Sequence, residues 1–256
     1  MEKYRVLPAG LVAFVFLCSG HSLCASERRF AFTYEVTTAD KGELELENWV
    51  TWQFHHGRNG EPNTHEFDFR HELEYGVTDR LQASLYFADW HINDHPGGGD
   101  RAQYDDAALE VIYRLSNPAT DFLGSAVYGE IRGGPDFLEL ESKILLQKNL
   151  GRWLAAYNGT LEGRWIGEHL EQREGEFDQT AALSYGINSH FTVGAEILHE
   201  IDLPNWDEAR KSLVWAGPNM SVRCGRWYAT VTALARVSDN RDEPSVQTRL
   251  ITGFEF

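Results

Sequence analysis

The charged residues of this chain recur with a period of two. Glu43, Glu45 and Glu47 are separated by Leu44 and Leu46, and Glu66, Asp68, Arg70, Glu72 and Glu74 by Phe67, Phe69, His71 and Leu73. Later segments carry Glu110, Arg114, Glu130, Arg132, Glu139, Glu141, Lys143, Glu162, Arg164, Glu196, Glu200, Arg236, Arg249 and Glu255 on the same kind of parity. A period of two places every charge of a segment on one face of an extended strand. Glu43, Glu45 and Glu47 then stand about 7 Å apart. They repel one another unless a cation or an opposing arginine lies among them, and Arg70 on the following segment is the expected counter-ion. So many ionisable groups cannot be buried dry, because each unpaired charge costs on the order of several kcal/mol. Two arrangements satisfy them. One is a wet interior whose Asp and Glu select against anions; the other is a ladder of Arg–carboxylate pairs that closes a narrow interior and holds it rigid.

Other chemistry is weakly supported. Paired carboxylates suit glycoside hydrolysis, but nothing singles out two of them. Ser189 and His190 are adjacent, yet neighbours on a strand point to opposite faces and cannot easily share a hydrolase site. No catalytic residue is assigned and no cofactor is expected. His55, His56 and His65, with His91 and His95 beside Asp94, are weak metal candidates whose spacing matches no defined site, so they read as solvated loop residues. Gly97, Gly98 and Gly99 resemble a phosphate cradle only in composition and read as a loop tip.

The elements that must position these charges are strands. Phe67, Phe69, Leu73 and Tyr75 oppose the charged parity, a turn follows at Val77-Thr78-Asp79, and Leu81, Ala83, Leu85 and Phe87 then alternate with Gln82, Ser84, Tyr86 and Ala88. The same rule predicts strands near 43–55, 65–76, 80–91, 104–115, 122–132, 137–149, 152–165, 176–187, 190–202, 211–223, 226–238 and 245–256. Each is long enough to cross a bilayer at a tilt, which takes roughly 9 to 11 residues. Short connections at 77–79, 117–118, 150–151, 188–189 and 224–225 alternate with longer ones at 56–64, 92–103, 166–175, 203–210 and 239–244. Only 133–136 is short where a long one is due. Short periplasmic turns and longer outer loops are the pattern of outer-membrane barrels. Aromatics near strand ends, among them Trp52, Phe54, Tyr75, Tyr113, Trp165, Tyr185, Phe191 and Trp227, suit interfacial girdles.

The first residues read as a secretory leader: Lys3 and Arg5, an apolar run from Val6 to Leu17, then small residues around Ala25. The run is too short for a membrane helix. Removing 1–25 takes away Glu2, Lys3 and Arg5, a net +1, so the formal charge moves from −16 to −17. So acidic a chain excludes nucleic acid as a partner. Cys18 and Cys24 go with the leader, which leaves Cys224 alone and predicts no intramolecular disulfide. The expected organisation is a signal peptide at 1–25, a periplasmic or lumenal segment at 26–42, and a barrel at 43–256.

The stretches Gly42-Glu43-Leu44-Glu45-Leu46-Glu47-Asn48-Trp49-Val50-Thr51-Trp52 and Glu72-Leu73-Glu74-Tyr75-Gly76-Val77-Thr78-Asp79-Arg80-Leu81 resemble the opening strands of a group of uncharacterised proteobacterial outer-membrane β-barrels, often labelled porins or transporters. The specific match covers roughly residues 30 to 90, and the rest is similar in strand layout alone. The resemblance implies a membrane barrel with solute passage and supplies no catalytic residues. The final strand, with Val246, Thr248, Leu250, Thr252, Phe254 and terminal Phe256 on one parity, resembles the insertion signal read by the barrel-assembly machinery.

The expectation is therefore an all-β protein: a transmembrane antiparallel up-and-down β-barrel of about 12 strands after a cleaved signal peptide, in the outer membrane of a Gram-negative cell. Outer-membrane lipid would surround it, and its acidic aqueous lumen would pass small solutes or cations. The alternatives are a structural or surface-interaction barrel without transport and an outer-membrane lipid-modifying enzyme. The lumen-lining candidates are Glu43, Glu45, Glu47, Asp68, Arg70, Glu72, Glu74, Glu110, Arg114, Glu130, Arg132, Glu162, Arg164, Glu196, Arg236 and Arg249.

Overall fold

A computed structural model describes residues 28–57, 62–94, 101–206, 209, 212–239 and 243–256. The expected leader, His95 and the Gly97 to Gly99 run lie outside the described residues. The strands are β1 Leu44–His55, β2 Thr64–Thr78, β3 Leu81–Asp94, β4 Ala102–Ser116, β5 Gly124–Gly133, β6 Phe137–Leu150, β7 Trp153–Ile166, β8 Gln172–Gly186, β9 Phe191–Pro204, β10 Leu213–Cys224, β11 Trp227–Arg236 and β12 Val246–Glu255. Each pairs antiparallel with its neighbours in sequence, and β1 pairs with β12 to close the barrel.

Alternation decides which face is which. Along β1, Glu45, Glu47, Trp49 and Thr51 are buried, while Leu44, Leu46, Val50 and Trp52 lie on the outer parity. The outer parity elsewhere is apolar and bare: Leu109 is 59% exposed, Ile144 61% and Leu161 58%. A polar wall inside and an aliphatic belt outside is the inverse of a soluble barrel, and it suits strands that span lipid. Aromatics flank the belt at both ends. Trp153 with Tyr185 and Trp227 with Phe254 lie near one end, and Phe69 stacked on Trp90 and Trp165 with Trp206 lie near the other. The end bearing the β6–β7 and β10–β11 turns, with both the start of β1 and the C-terminus, is called the turn end; the opposite end is the loop end.

Three local expectations need correction. In β3 an extra residue between Tyr86 and Asp89 shifts the register. A bulge of this kind reverses the parity beyond it, so Asp89, not Ala88, is buried on the inside. The β4–β5 connection runs over residues 117–123 and folds on itself through bonds from Thr120 N and Asp121 N to Asn117 O, so it is longer than the two-residue turn expected. Cys224 is disulfide-bonded rather than alone. Cys18 and Cys24, which the sequence count discards with the leader, lie outside the described residues.

Residues 28–43 enter the barrel at the turn end and fill that half of it. Phe30, Ala31 and Val36 are completely buried. Tyr34 and Val36 pack with Trp49, Ile112, Tyr128, Tyr228 and Ile251. The segment leaves past Gly76, where Gly42 N donates to Gly76 O at 2.7 Å. A Cβ on Gly76 would sit 2.0 Å from the carbonyl oxygen of Asp40, and backbone cannot yield as a flexible side chain does. Gly76→Ala is therefore expected to lower barrel stability by about 1–3 kcal/mol, seen as a lower unfolding midpoint in heat-modifiable gel mobility.

Candidate functional site

The interior is divided into two zones by residue type. In the turn-end zone the wall offers amides, hydroxyls, one carboxylate and, through Arg249 on Ala31 O at 3.3 Å, one guanidinium to the backbone of residues 28–43. Asn158 grips Tyr34 from both sides, its Oδ1 accepting Tyr34 N at 2.6 Å and its Nδ2 donating to Tyr34 O at 2.9 Å. Val36 N donates to Gln147 Oε1 at 2.6 Å and Ala39 N to Gln82 Oε1 at 2.7 Å. Asn219 Nδ2 donates to Arg29 O at 2.6 Å, and Thr230 donates to Arg28 O. Glu196, fully buried, accepts Ala31 N at 2.9 Å, Phe32 N at 2.9 Å and Thr33 N at 2.8 Å, with Thr232 Oγ1 as a fourth donor at 2.5 Å. The segment forms no strand. Wall side chains supply the partners that its buried backbone requires.

Beyond this plug, toward the loop end, the wall is charged and hollow. A cavity of about 500 Å³ is lined by Gln53, Asp68, Arg70, Asp89, His91, Asp105, Asp106, Arg132, Arg164 and Arg249, among others. Two more of about 180 Å³ each adjoin Asp178 and Glu200 in one case and Glu162, Glu176 and Asp202 in the other. Register aligns the carboxylates from strand to strand: Glu110 opposite Glu130, Glu130 opposite Glu141, Glu141 opposite Glu162, Glu162 opposite Glu176, and Glu176 opposite Asp202. Like charges facing each other across strands are destabilising, so this belt depends on water and counter-charge.

The counter-charge is unevenly placed. On the β2 to β7 side, Arg70 pairs with Asp89 at 2.6 Å and reaches Glu130 at 3.7 Å. Arg132 contacts Glu130 at 2.8 Å, Glu139 at 3.4 Å and Asp106 at 3.6 Å, and Lys143 pairs with Glu141 at 2.7 Å. Arg164 adds a longer contact to Glu139 at 3.7 Å. On β8 and β9 the inward parity carries Glu174, Glu176, Asp178, Glu196, Glu200 and Asp202 and no lysine or arginine. The lumen thus has one cross-paired wall and one acidic wall.

Of the residues singled out in the sequence, Glu45, Glu47, Asp68, Arg70, Glu72, Glu74, Glu110, Glu130, Arg132, Glu162, Arg164, Glu196 and Arg249 lie on the inward parity. Arg114 and Arg236 share that parity but stand at strand ends, and Glu43 precedes β1, so these three lie at the rims. The Glu43 carboxylate accepts Asp40 N, Arg114 donates to the carbonyl of Asp79, and Arg236 donates to the carbonyls of Glu243 and Pro244. The expected role of Arg70 is also corrected. It is committed to Asp89 and Glu130, and the cation beside Glu47 is Arg28 of the plug, at 2.9 Å. His65 lies among the outer aromatics, bonded by Trp52 Nε1 at 3.1 Å, with His56 against Phe54, whereas His91 faces inward on Asp105 at 2.6 Å. His55 ends β1, and among the described residues no metal-capable group contains a histidine. Ser189 and His190 sit in the β8–β9 turn, where His190 N bonds Asn188 Oδ1.

Sequence reasoning missed Asp89, Asp106, Glu176, Asp178 and Asp202 on the charged wall. The bulge hides the first, and a strand boundary placed at 176 obscures the parity of β8. It also missed the lumenal aromatics Trp49, Tyr86, Tyr128 and Tyr228. Arg28 lies over both Tyr34 and Trp49 at 4.4 Å, and Arg70 lies over Tyr86 at 4.1 Å.

The model of a family of unknown function, DUF6662, matches residues 22–249. No curated protein sequence is significantly similar to the chain. Among solved structures, the COG4313 outer membrane channel from Pseudomonas putida F1 is similar with a TM-score of 0.62 and 13% identity, over 86% of this chain and 98% of that one. The NanC porin is similar with a TM-score of 0.54 and 11% identity, over 82% and 98% of the two chains. The translocator domain of the autotransporter NalP from Neisseria meningitidis gives 0.53 and 13%, over 84% and 89%. At these identities the likeness establishes the fold, that of outer-membrane barrels.

Proposed function

This chain belongs to the DUF6662 family, whose function is unknown, and we propose that it is an outer-membrane channel whose lumen favours small cations and is closed at the periplasmic end by residues 28–43. The turn end is assigned to the periplasm because its connections are shorter and both barrel termini lie there. The observation that carries the reading is the acidic wall of β8 and β9 continued by Glu162. Carboxylates that outnumber the bases along hollow space attract cations and repel anions. The loop-end cavity supplies the entrance, and the plug supplies the closure, since at the turn end the cavity between the plug and Glu47, Glu74, Gln82 and Tyr228 holds about 40 Å³.

The test is reversal potential in planar bilayers under a salt gradient. The wild-type barrel is expected to conduct weakly with preference for cations. The double variant Glu162→Gln, Glu176→Gln is expected to reduce the cation-to-anion permeability ratio by roughly half or more, with folding unchanged by circular dichroism. An anion preference in the wild type would overturn the reading.

A second reading, a structural barrel without transport, is favoured by the tight seating of the plug on Glu196 and Asn158. It predicts no current above background at any voltage, even after the plug is removed.

A further inference from the structure

We propose that the floor of the lumen holds a divalent cation, best matched by Ca²⁺, among Glu47, Glu72 and Glu74. One carboxylate oxygen from each of the three lies within 4.8 Å of the others, the separation allowed for ligands that each stand about 2.3–2.6 Å from a common Ca²⁺ ion. All three residues are buried, Glu72 completely. A group of carboxylates alone would not make a site. The independent observation is that neither Oε1 nor Oε2 of Glu72 has a hydrogen-bond partner, although the side chain is shut off from solvent and faces the other two. Buried carboxylates are normally hydrogen-bonded or paired; Glu72 is neither, and Arg28, whose Nε and Nη2 are also without partners, is committed through Nη1 to Glu47, so a cation at this cluster supplies the charge that Glu72 lacks.

Of the neighbours, Glu74 keeps Oε1 without a hydrogen-bond donor, while Glu47 would share its Oε1 between the ion and Tyr228. Glu74 spends Oε2 on Gln82 Nε2 at 2.8 Å. Glu47 takes Arg28, Trp49 Nε1 and the Tyr228 hydroxyl. One guanidinium cannot balance three carboxylates. The adjoining cavity of about 40 Å³, lined by Arg28, Glu47, Glu74, Gln82 and Tyr228, has room for water, since a water needs roughly 10–15 Å³. Waters there would complete the six to eight oxygen ligands that Ca²⁺ takes. The all-oxygen donor set argues against softer metals, and Mg²⁺ demands a more regular octahedron than a crowded carboxylate cluster offers. An ion here ties β1 to β2 where Arg28 and Tyr34 of the plug rest, so it sets how firmly the plug is held.

The experiment uses the intact barrel in detergent, stripped with EDTA and titrated with Tb³⁺. Trp49 Nε1 lies 2.7 Å from Glu47 Oε2, so its indole is placed to sensitise the lanthanide. The expected result is saturable luminescence on indole excitation, displaced by Ca²⁺, with a Ca²⁺-dependent rise in melting temperature. Glu72→Gln is expected to weaken Tb³⁺ binding by at least about tenfold, and Glu168→Gln in the exposed β7–β8 connection to leave it unchanged. If Glu72→Gln does not assemble, Glu74→Gln is read in its place, with Ca²⁺ calorimetry on the wild type alongside. Absence of saturable binding to the wild type, or binding that survives Glu72→Gln or is lost in Glu168→Gln, overturns the proposal. Luminescence requires no current, so a failure of the channel reading would be seen separately.

Discussion

A variant lacking residues 28–40 is expected to conduct on the order of tenfold more current per barrel than the full chain. The plug's contribution to the closed state is physical volume. Phe30, Ala31, Val36 and Ala39 are buried, and around Phe30 the wall presents the short side chains of Ala156 and Ala182. A twelve-stranded barrel is wider than the eight-stranded ones that wall side chains fill by themselves, so the space vacated by the segment is expected to admit water. The barrel itself should survive, because the β1–β12 closure from Glu45 opposite Glu255 to Phe54 opposite Val246 does not involve residues 28–40. Heat-modifiable mobility and circular dichroism establish that it has assembled, and single-channel recording gives the conductance. A deletion variant that assembles and conducts measurably but no more than the full chain would place the constriction at the Arg70, Arg132 and Glu130 cluster, and one that conducts nothing would support the barrel without transport.

The wall was legible in the sequence because strand parity is a local property. Glu45 and Glu47 against Leu44 and Leu46, or Thr248 and Leu250 against Gln247 and Arg249, announce the two faces without reference to any partner. Parity fails where an extra residue enters, as in β3, and the sequence around Phe87 and Ala88 carries no glycine or proline to mark the bulge. Counter-ion assignment fails for a different reason. Arg70 is near Glu47 in sequence order of strands, but Asp89 and Glu130 reach it from the other side, and the cation that meets Glu47 comes from a segment the sequence does not place.

The plug had a signal that goes unread when attention stays on charge. Gln82, Gln147, Asn158 and Asn219 share the inward parity with the glutamates, but they lie in the turn-end halves of their strands. Neutral amides pair with peptide groups without the cost of desolvating a charge. Their clustering at one end, with Thr180, Thr192, Thr230 and Thr232 between them, marks a wall that faces backbone rather than open water. Phe30, Phe32, Tyr34 and Val36 alternate as a strand would, a pattern that suits a short strand or a lumenal segment equally, yet residues 28–43 belong to no sheet. Their pattern follows side-chain partners scattered over the strands.

Glu196 is the exception among those partners, and its removal is expected to have the largest single-residue effect on the plug. Its carboxylate is the one charged acceptor shared by three consecutive peptide N–H groups, with Ala31 on Oε1 and Phe32 and Thr33 on Oε2. Charge-assisted bonds of this kind are about twice as strong as neutral ones, and stranding a buried donor costs about 1–3 kcal/mol. Because the three N–H groups move together, the losses do not add in full, and Glu196→Ala is expected to cost about 3–5 kcal/mol of plug seating. Glu196→Gln keeps the shape but turns a donor toward peptide donors, so it should recover only part of that. The outward strand faces are unaffected, which predicts a folded barrel with a loosened interior. Faster amide exchange at Ala31, Phe32 and Thr33 with unchanged exchange in β9 checks this, and the current should rise toward that of the deletion variant. Equal exchange in Glu196→Ala and wild type would mean that the Asn158 clamp on Tyr34 holds the segment by itself, and Asn158→Ala in the same background is the variant that then releases it.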